Sequence, residues 1–281
     1  MISTPAQDGR STERRTTYEV QLDRHEAKYV IPRSLVPKIR EFIAPFCQPD
    51  SHGQGDPPEY VITTLQLDSA GLALHEAKGN EALNRFKLRV RTYGNPGDSA
   101  VFMEVKRNLR GTIVKSRTRI PFDAWGEHLL TDPKISLQFR TDAEVVSFLE
   151  FRRLVQEIGA KPVTLIRYTR ESYFGTLDQY ARVTFDRKLM YQPTASWESW
   201  GRGGRWIPLD SSLVQNKQYP FSGVVLELKT LSEAPRWMID LIMEFGLERT
   251  GHCKYSNAVW LESLFLGWPD PPSYAGDLLV L

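Results

Sequence analysis

The stretch RFKLRVRTY at 85–93 carries four basic side chains, Arg85, Lys87, Arg89 and Arg91, separated by Phe86, Leu88, Val90 and Thr92. On a β-strand this period of two sets all four charges on one face and a mostly apolar row on the other. Guanidinium and ammonium groups in such a row take phosphate or carboxylate oxygens, Arg through a bidentate fork and Lys as a point charge. A half-buried edge strand with a solvated face alternates in the same way, so this stretch alone leaves both readings open. Repetition separates them.

The pattern returns along the chain. Arg24, Glu26 and Lys28 share a parity in RHEAKYVI, Glu104 and Lys106 in VFMEVKRN, and Lys115, Arg117 and Arg119 in IVKSRTRI. Arg182, Thr184 and Asp186 follow in ARVTFDR, and Glu227 and Lys229 in VVLELKT. The residues of opposite parity, among them Ala27, Tyr29, Val105, Val183, Phe185, Leu226 and Leu228, are apolar or small. Strands of this kind cannot all be edges. They predict an α+β fold: an antiparallel β-barrel whose charged faces line a lumen and whose apolar outer faces are covered by helices packed outside. In that lumen an excess of Arg and Lys faces Glu26, Glu104, Asp186 and Glu227. Two like charges about 7 Å apart repel by roughly 2 kcal/mol at an effective dielectric of about 20, so the cluster calls for an anion. Clustered cations with a few carboxylates suit a polyanion carrying a divalent metal, the acids holding the metal.

Composition narrows the partner. The 281 residues are 41% hydrophobic and 25% charged, the balance of a globular chain with a core, yet the formal net charge is only +2. The basic faces are therefore local, whereas a protein coating duplex nucleic acid is usually basic overall; nucleic acid is disfavoured. Cys47 and Cys253 have no ligand spacing, which points to a reducing, cytoplasmic setting. The opening residues contain no signal-like apolar run, and no stretch of about 18 apolar residues predicts a membrane span. His25, His52, His75, His128 and His252 form no ligand spacing, and neither a P-loop nor a Ser, Cys or His nucleophile set is evident. His25 has the outward parity and reads as structural.

The elements that position these rows follow in order. Residues 1–16 are polar and aperiodic and read as a disordered leader. A first strand is expected at about 18–31, then a helix from the Ser34 cap to about 46, to cover a mouth or wall of the barrel, then a turn-rich loop at 48–59. YVITTLQLDS is the second strand, and GLALHEAKGN holds a helical turn that aims Lys78 at the lumen. Strands at 85–93, 100–108 and 112–120 read as consecutive hairpins. Thr141 and Glu144 form a capping-box signature for a helix to about Ile158, ended by Gly159 and packed outside the barrel. A strand pair follows through ARVTFDRKL. Trp197, Trp200 and Trp206 read as padding of a loop against a wall, the alternative being a stack for a base or sugar. VVLELKT is the last strand, helices at 235–245 and about 254–265 close the fold, and 267–281 form a Pro-rich tail.

Nine pieces in order, RHEAKYVI, TLQLDS, FKLRVRTYG, FMEVKRN, VKSRTR, RYTRESYFG, ARVTFDR, VVLELKT and KYSNAV, span roughly residues 20 to 262. Together they resemble a VTC domain, the polyphosphate polymerase domain of vacuolar transporter chaperones, within the wider triphosphate tunnel metalloenzyme (CYTH-like) group. The resemblance implies one domain over 17–266 that transfers the γ-phosphate of ATP to a growing polyphosphate chain. It implies phosphate binding by Lys28, Lys87, Arg89, Arg91, Lys106, Lys115, Arg117, Arg170, Arg182, Lys229 and Lys254, with Arg167 as a further basic residue. Lys28, Arg89, Arg91, Lys106 and Glu227 would be catalytic, Glu227 the metal ligand with Glu26 and Glu104 in support, and Mn²⁺ or Mg²⁺ the cofactor. ATP and inorganic polyphosphate or triphosphate would be the partners. An inorganic triphosphatase or short-chain polyphosphate hydrolase, and a non-catalytic polyphosphate or nucleotide binder, are the alternatives.

Two positions depart from the wider pattern. The opening E-x-E-x-K of the tunnel group is RHEAK here, with Arg24 in place of the first acid, a loss that VTC domains share and that points away from two-metal triphosphatases. The common Ser-Lys-Tyr near the last helix is Cys253, Lys254, Tyr255. Eukaryotic members carry a membrane part that this sequence lacks, so a membrane-protein partner is an open expectation.

Overall fold

The computed structural model describes residues 25–110, 112–132, 134, 137–177, 180–201, 203–209, 223–231 and 233–266. Alternating sequences fold into strands β1 (His25–Ile31), β2 (Cys47–Pro49), β3 (Glu59–Asp68), β4 (Asn84–Tyr93), β5 (Val101–Leu109), β6 (Thr112–Ile120), β7 (Lys161–Gly175), β8 (Arg182–Pro193), β9 (Ile207–Pro208) and β10 (Val224–Thr230). The helices are α1 (Leu35–Ile43), α2 (Ala73–Gly79), α3 (His128–Thr131), α4 (Asp142–Glu157), α5 (Arg236–Glu244) and α6 (Lys254–Phe265). The expected leader, the tail and the upstream part of the first strand, including Arg24, lie outside the described residues.

All strands join one antiparallel sheet in the order β1-β10-β8-β7-β3-β4-β5-β6, with β2 added to β7 and β9 to β8. The antiparallel sheet with its helices is as expected, whereas closure into a barrel is not shown. Among the described residues the ladder does not join β1 to β6. The sheet instead curls until side chains meet across its hollow, Lys106 Nζ of β5 lying 3.1 Å from Glu26 Oε2 of β1.

Two apolar layers back the convex side. Val36, Ile39 and Ile43 of α1 and Met238 and Leu241 of α5 pack on Tyr29, Phe185, Leu226 and Leu228, so α1 covers a wall rather than a mouth. Phe148, Phe151, Leu154 and Val155 of α4, with Leu129 and Leu130 of α3, pack on Leu65, Leu88, Val90, Met103 and Val105. Glu144 N donates to Thr141 Oγ1 at 3.2 Å, while the Glu144 carboxylate accepts from Arg140 N, so the capping box closes one residue early. Gly159, at φ +60°, ends α4 as Ala160 N donates to Val155 O at 2.8 Å. Ser34, expected as a cap, makes no side-chain capping bond.

Helix α6 corrects the expectation that every helix packs outside. Tyr255, Ala258, Val259, Trp260 and Leu261 pack on Ile62, Ile166, Tyr168, Tyr191 and Val225, which share the parity of the charged rows and so lie on the concave face. The reason is in the helix itself: residues 255–261 are buried on every side, and a helix without a polar stripe cannot lie half in water. Strand β8 prepares the seat. Lys188 takes φ +53°, a left-handed conformation costly for a side chain with a Cβ, and the register with β7 slips there. Before the bulge β8 aims Arg182, Thr184 and Asp186 inward; after it, Leu189 and Tyr191 face α6.

Candidate functional site: a cationic cavity

Register builds the site from its rungs. Lys87 of β4 stands opposite Lys106 of β5, which stands opposite Lys115 of β6. Like charges directly across an antiparallel pair repel, so three lysines in one rung are a local cost that packing alone does not offset. The next rung sets Arg89, Glu104 and Arg117 side by side. On the far wall Lys28 pairs with Glu227, Glu26 with Lys229, and Asp186 with Arg170.

These walls enclose a cavity of about 690 Å³, within the usual range for small-ligand sites. Of the residues named from the sequence, it brings together Lys28, Lys87, Arg89, Arg91, Lys106, Lys115, Arg170, Arg182, Lys229 and Lys254 with Glu26 and Glu227. Arg117, expected among the phosphate ligands, does not line it; its guanidinium lies 3.7 Å from the centre of the Phe102 ring and 3.4 Å from Glu104. Arg85 and Arg119, counted in the lumen, do not line it either: Arg85 turns back to Ala82 O and Glu81, and Arg119 is exposed. Lys78 pairs with Glu81 at the surface. Arg167 has the opposite parity and lies between Trp200 and Trp206 on the convex side, with Trp197 and Trp206 against the α4 core, so these tryptophans pad a wall. His25, read as structural, lines the cavity at the end of β1.

Two carboxylates hold the arginines. Glu104 is fully buried, with Arg89 Nε at 2.7 Å, Lys115 Nζ at 2.7 Å and Arg91 at 3.8 Å. Burial pulls its pKa up, but Arg89, Arg91 and Lys115 outweigh burial and hold the carboxyl well below the usual range. Both oxygens are covered by cations, so Glu104, expected to support a metal, presents no open oxygen. Asp186, also fully buried, takes a bidentate fork from Arg170 at 2.7 and 2.8 Å and Lys254 Nζ at 2.6 Å. Against the pull of burial these partners hold it at about 2.

The surplus of cations reads out on the lysines. Burial, with Lys28, Arg89 and Lys229 nearby, lowers Lys106 to about 8 despite Glu26. Burial, with Arg89 and Arg91, lowers Lys115 to about 8 although it touches Glu104. Burial is the larger cause for both lysines and the neighbouring cations add to it, so contact with a carboxylate does not restore the ordinary value. Lys28 is the exception: burial lowers its pKa, but Glu26 at 2.9 Å and Glu227 raise it above the ordinary value.

Among the described residues no three Asp, Glu, His or Cys side chains gather into a ready-made metal cage. Glu26 and Glu227, on neighbouring strands, share Lys229 at 4.0 and 2.9 Å. Burial and mutual repulsion raise the Glu26 pKa, but Lys28, Lys106 and Lys229 prevail and keep it low. Their oxygens too are met by cations, Lys28 and Lys106 on Glu26 and Lys229 and Arg170 on Glu227, but unlike Glu104 both line the cavity, so a hard divalent ion would be held there in place of a lysine contact, with phosphate oxygens and water completing its ligands.

Several lining residues were not read as site residues from the sequence: Thr64, Gln66, Tyr168, Tyr180 and His252, and Cys253 and Tyr255, which were noted only as the motif flanking Lys254. Thr64 and Gln66 were legible as the polar parity of β3, and Tyr168 as the residue two before Arg170; its ring lies 5.4 Å from the Arg170 guanidinium and 4.7 Å from Lys254 Nζ. No local signal marks Cys253, whose thiol meets Lys87 Nζ at 2.9 Å across 166 residues of chain.

No curated protein matches the chain. Among solved structures it is similar to the PH1819 protein from Pyrococcus horikoshii OT3, at 13% identity over 86% of this chain and 99% of that one, with TM-score 0.41. A putative adenylate cyclase from Vibrio parahaemolyticus is similar at 10% identity over 85% and 98%, with TM-score 0.44. A putative adenylate cyclase from Bacillus halodurans is similar at 9% identity over 83% and 96%, also with TM-score 0.44. The decisive match is to the VTC domain over residues 23–262, and the chain belongs to that family.

Proposed function

We propose that the chain is a metal-dependent polyphosphate polymerase that moves the γ-phosphate of ATP onto a growing polyphosphate chain inside the cationic cavity. The observation that carries this reading is the Lys87, Lys106, Lys115 rung, set in a cavity where ten Lys and Arg side chains face two carboxylates. Such a cavity wants a dense anion, and phosphate oxygens match both its lysines and its arginines. Family membership points the same way.

The chemistry required is modest. A terminal phosphate oxygen of the chain attacks the γ-phosphorus, the bond to the β-phosphate oxygen breaks, and the charge of the leaving diphosphate grows as ADP departs. Such transfer needs alignment and charge neutralisation rather than a protein nucleophile. Arg89, Arg91 and Arg170 are preset by Glu104 and Asp186, so little reorganisation accompanies substrate entry. Lys28, Lys106 and Lys229 surround the Glu26 and Glu227 pair and place their charges at the reacting end. Glu26 and Glu227 would hold a Mn²⁺ or Mg²⁺ ion, which would supply further neutralisation of the phosphate charge. Wrapped around its substrate, the curled sheet acts as the triphosphate tunnel. Among the described residues no helix is long and apolar enough to cross a membrane; we place the reaction in the cytoplasm.

Incubation with ATP and Mn²⁺ or Mg²⁺, followed by electrophoretic sizing of phosphate polymers, tests the proposal. Product longer than three phosphates supports it. Orthophosphate from tripolyphosphate without elongation makes the protein a hydrolase, and tight binding without turnover makes it a sensor. Glu227→Gln abolishes turnover while leaving anion binding; full turnover in that variant would remove Glu227 from the metal site.

A further inference from the structure

Beside the cavity, on the strand ends next to Arg91, the concave side turns aromatic. Tyr93 continues the row Arg89, Arg91, and its ring lies 5.6 Å from Phe102 in an edge-to-face contact and 6.1 Å from Tyr60. The Arg117 guanidinium covers the Phe102 ring at 3.7 Å and lies 5.7 Å from that of Tyr93, whose hydroxyl it meets at 3.4 Å. With its side chain 37% exposed, Arg117 is open to solvent beside the cavity, its guanidinium plane resting on Phe102. The phosphate reading of the cavity leaves this cluster without a task.

We propose that Arg117, backed by Phe102 and flanked by Tyr93, is a stacking platform for the base of a nucleoside triphosphate whose phosphates lie in the cavity. This rests on the nucleotide reading above. Alternate residues of a strand are spaced by about 7 Å, so a phosphate at Arg91 sets the base one ribose further along, at the level of Tyr93. A guanidinium plane stacks on any aromatic base, and base stacking of this kind tolerates sequence. The platform therefore selects nucleotides over inorganic triphosphate without selecting strongly among bases.

The test uses Arg117→Lys, which keeps the charge beside Glu104 and removes the plane, with ATP and tripolyphosphate as paired ligands in calorimetry. ATP affinity should fall about tenfold, on the scale of one lost base stack, and tripolyphosphate affinity should stay within about twofold. Phe102→Leu, which removes the backing, should reproduce that split, and a fluorescent adenine analogue, 2-aminopurine riboside triphosphate, should be quenched on binding the wild-type protein. Equal losses for both ligands, no loss for either, or an unquenched analogue overturns the platform. A wild-type protein that binds neither ATP nor tripolyphosphate overturns the underlying phosphate reading instead.

Discussion

Replacing Glu104 by Gln tests the claim that the cavity is an unpaid positive field. The carboxylate is fully buried and has Arg89 and Lys115 at 2.7 Å, Arg117 at 3.4 Å and Arg91 at 3.8 Å. Glutamine keeps the shape and one acceptor but withdraws the negative charge from all four. Removing one member of a buried pair costs about 3–5 kcal/mol; the retained hydrogen bond and the partial exposure of Lys115 and Arg117 place this site near the lower end, about 3 kcal/mol. For a chain of this size each kcal/mol moves the Tm by about 2–4 °C, so the expected loss is about 6–12 °C. Because the folded pKa is depressed, the stabilisation is fully present above the ordinary glutamate range and is lost as pH falls below it. Thermal melts at neutral pH in a buffer free of multivalent anions measure the loss. The second arm adds tripolyphosphate, which should raise the Tm of the variant by more than that of the wild type, because the anion supplies the charge that the mutation removed. Mn²⁺ should shift both proteins equally, Glu104 having no open oxygen. An unchanged Tm, or a smaller tripolyphosphate effect in the variant, would refute the reasoning.

Lys106 and Lys115 set a pH dependence. Both lose their protons near pH 8 in the free protein, so tripolyphosphate affinity should hold from pH 6 to 7 and fall as pH rises through about 8. Calorimetry in buffers of different ionisation enthalpy should show proton uptake on binding above that point; affinity that is flat to pH 9 contradicts the assignment. Asp186→Asn leaves Arg170 and Lys254 without their shared carboxylate and should lower stability by about 3 kcal/mol or more, read by urea titration. Cys253, lowered to about 6 by Lys87 against the pull of burial, should alkylate at pH 7 much faster than Cys47, which burial pushes up to about 11. Tripolyphosphate should protect it; equal labelling of the two thiols, by peptide mass spectrometry, would remove the thiolate.

What the sequence made legible is what a period of two can express. The rows at 85–91, 104–106 and 227–229 have one charged parity each, and a strand offers two faces, so the cavity followed once the strands were taken to share a sheet. Arg117 and Arg119 share the parity of Lys115 and nevertheless leave the cavity. Parity fixes the side of a sheet, not where a long side chain turns: Arg117 shares the rung of Arg89 and Glu104, but on the terminal strand β6 its guanidinium folds over Phe102 of the neighbouring rung. Arg167, carried over from the resemblance, and Lys78, expected from a helical turn, rested on no strand parity and go elsewhere, to a tryptophan sandwich and a surface carboxylate.

The interior position of α6 belongs to a second class of information. Its residues read as a plain helix, and nothing local says which side of the sheet it covers. The two relevant signals are its lack of a polar face and the break of parity at Lys188 in β8, each of which looks like noise alone. Together they are complementary: the bulge converts the inward face of β8 from charged to apolar over a few residues, and a helix buried on every side is the element that can fill the space so created. The filling has a chemical consequence. By seating Tyr255 against Asp68 and Lys254 against Asp186, α6 carries a cation and a thiol into the cavity from a part of the chain remote from β3, β4 and β8. The apolar end of the hollow is thus the anchor that sets the charged end, and a substitution such as Trp260→Ala, far from any phosphate, should weaken anion binding by releasing Lys254 before it unfolds the sheet. Tripolyphosphate affinity unchanged in a folded Trp260→Ala protein would uncouple the two ends.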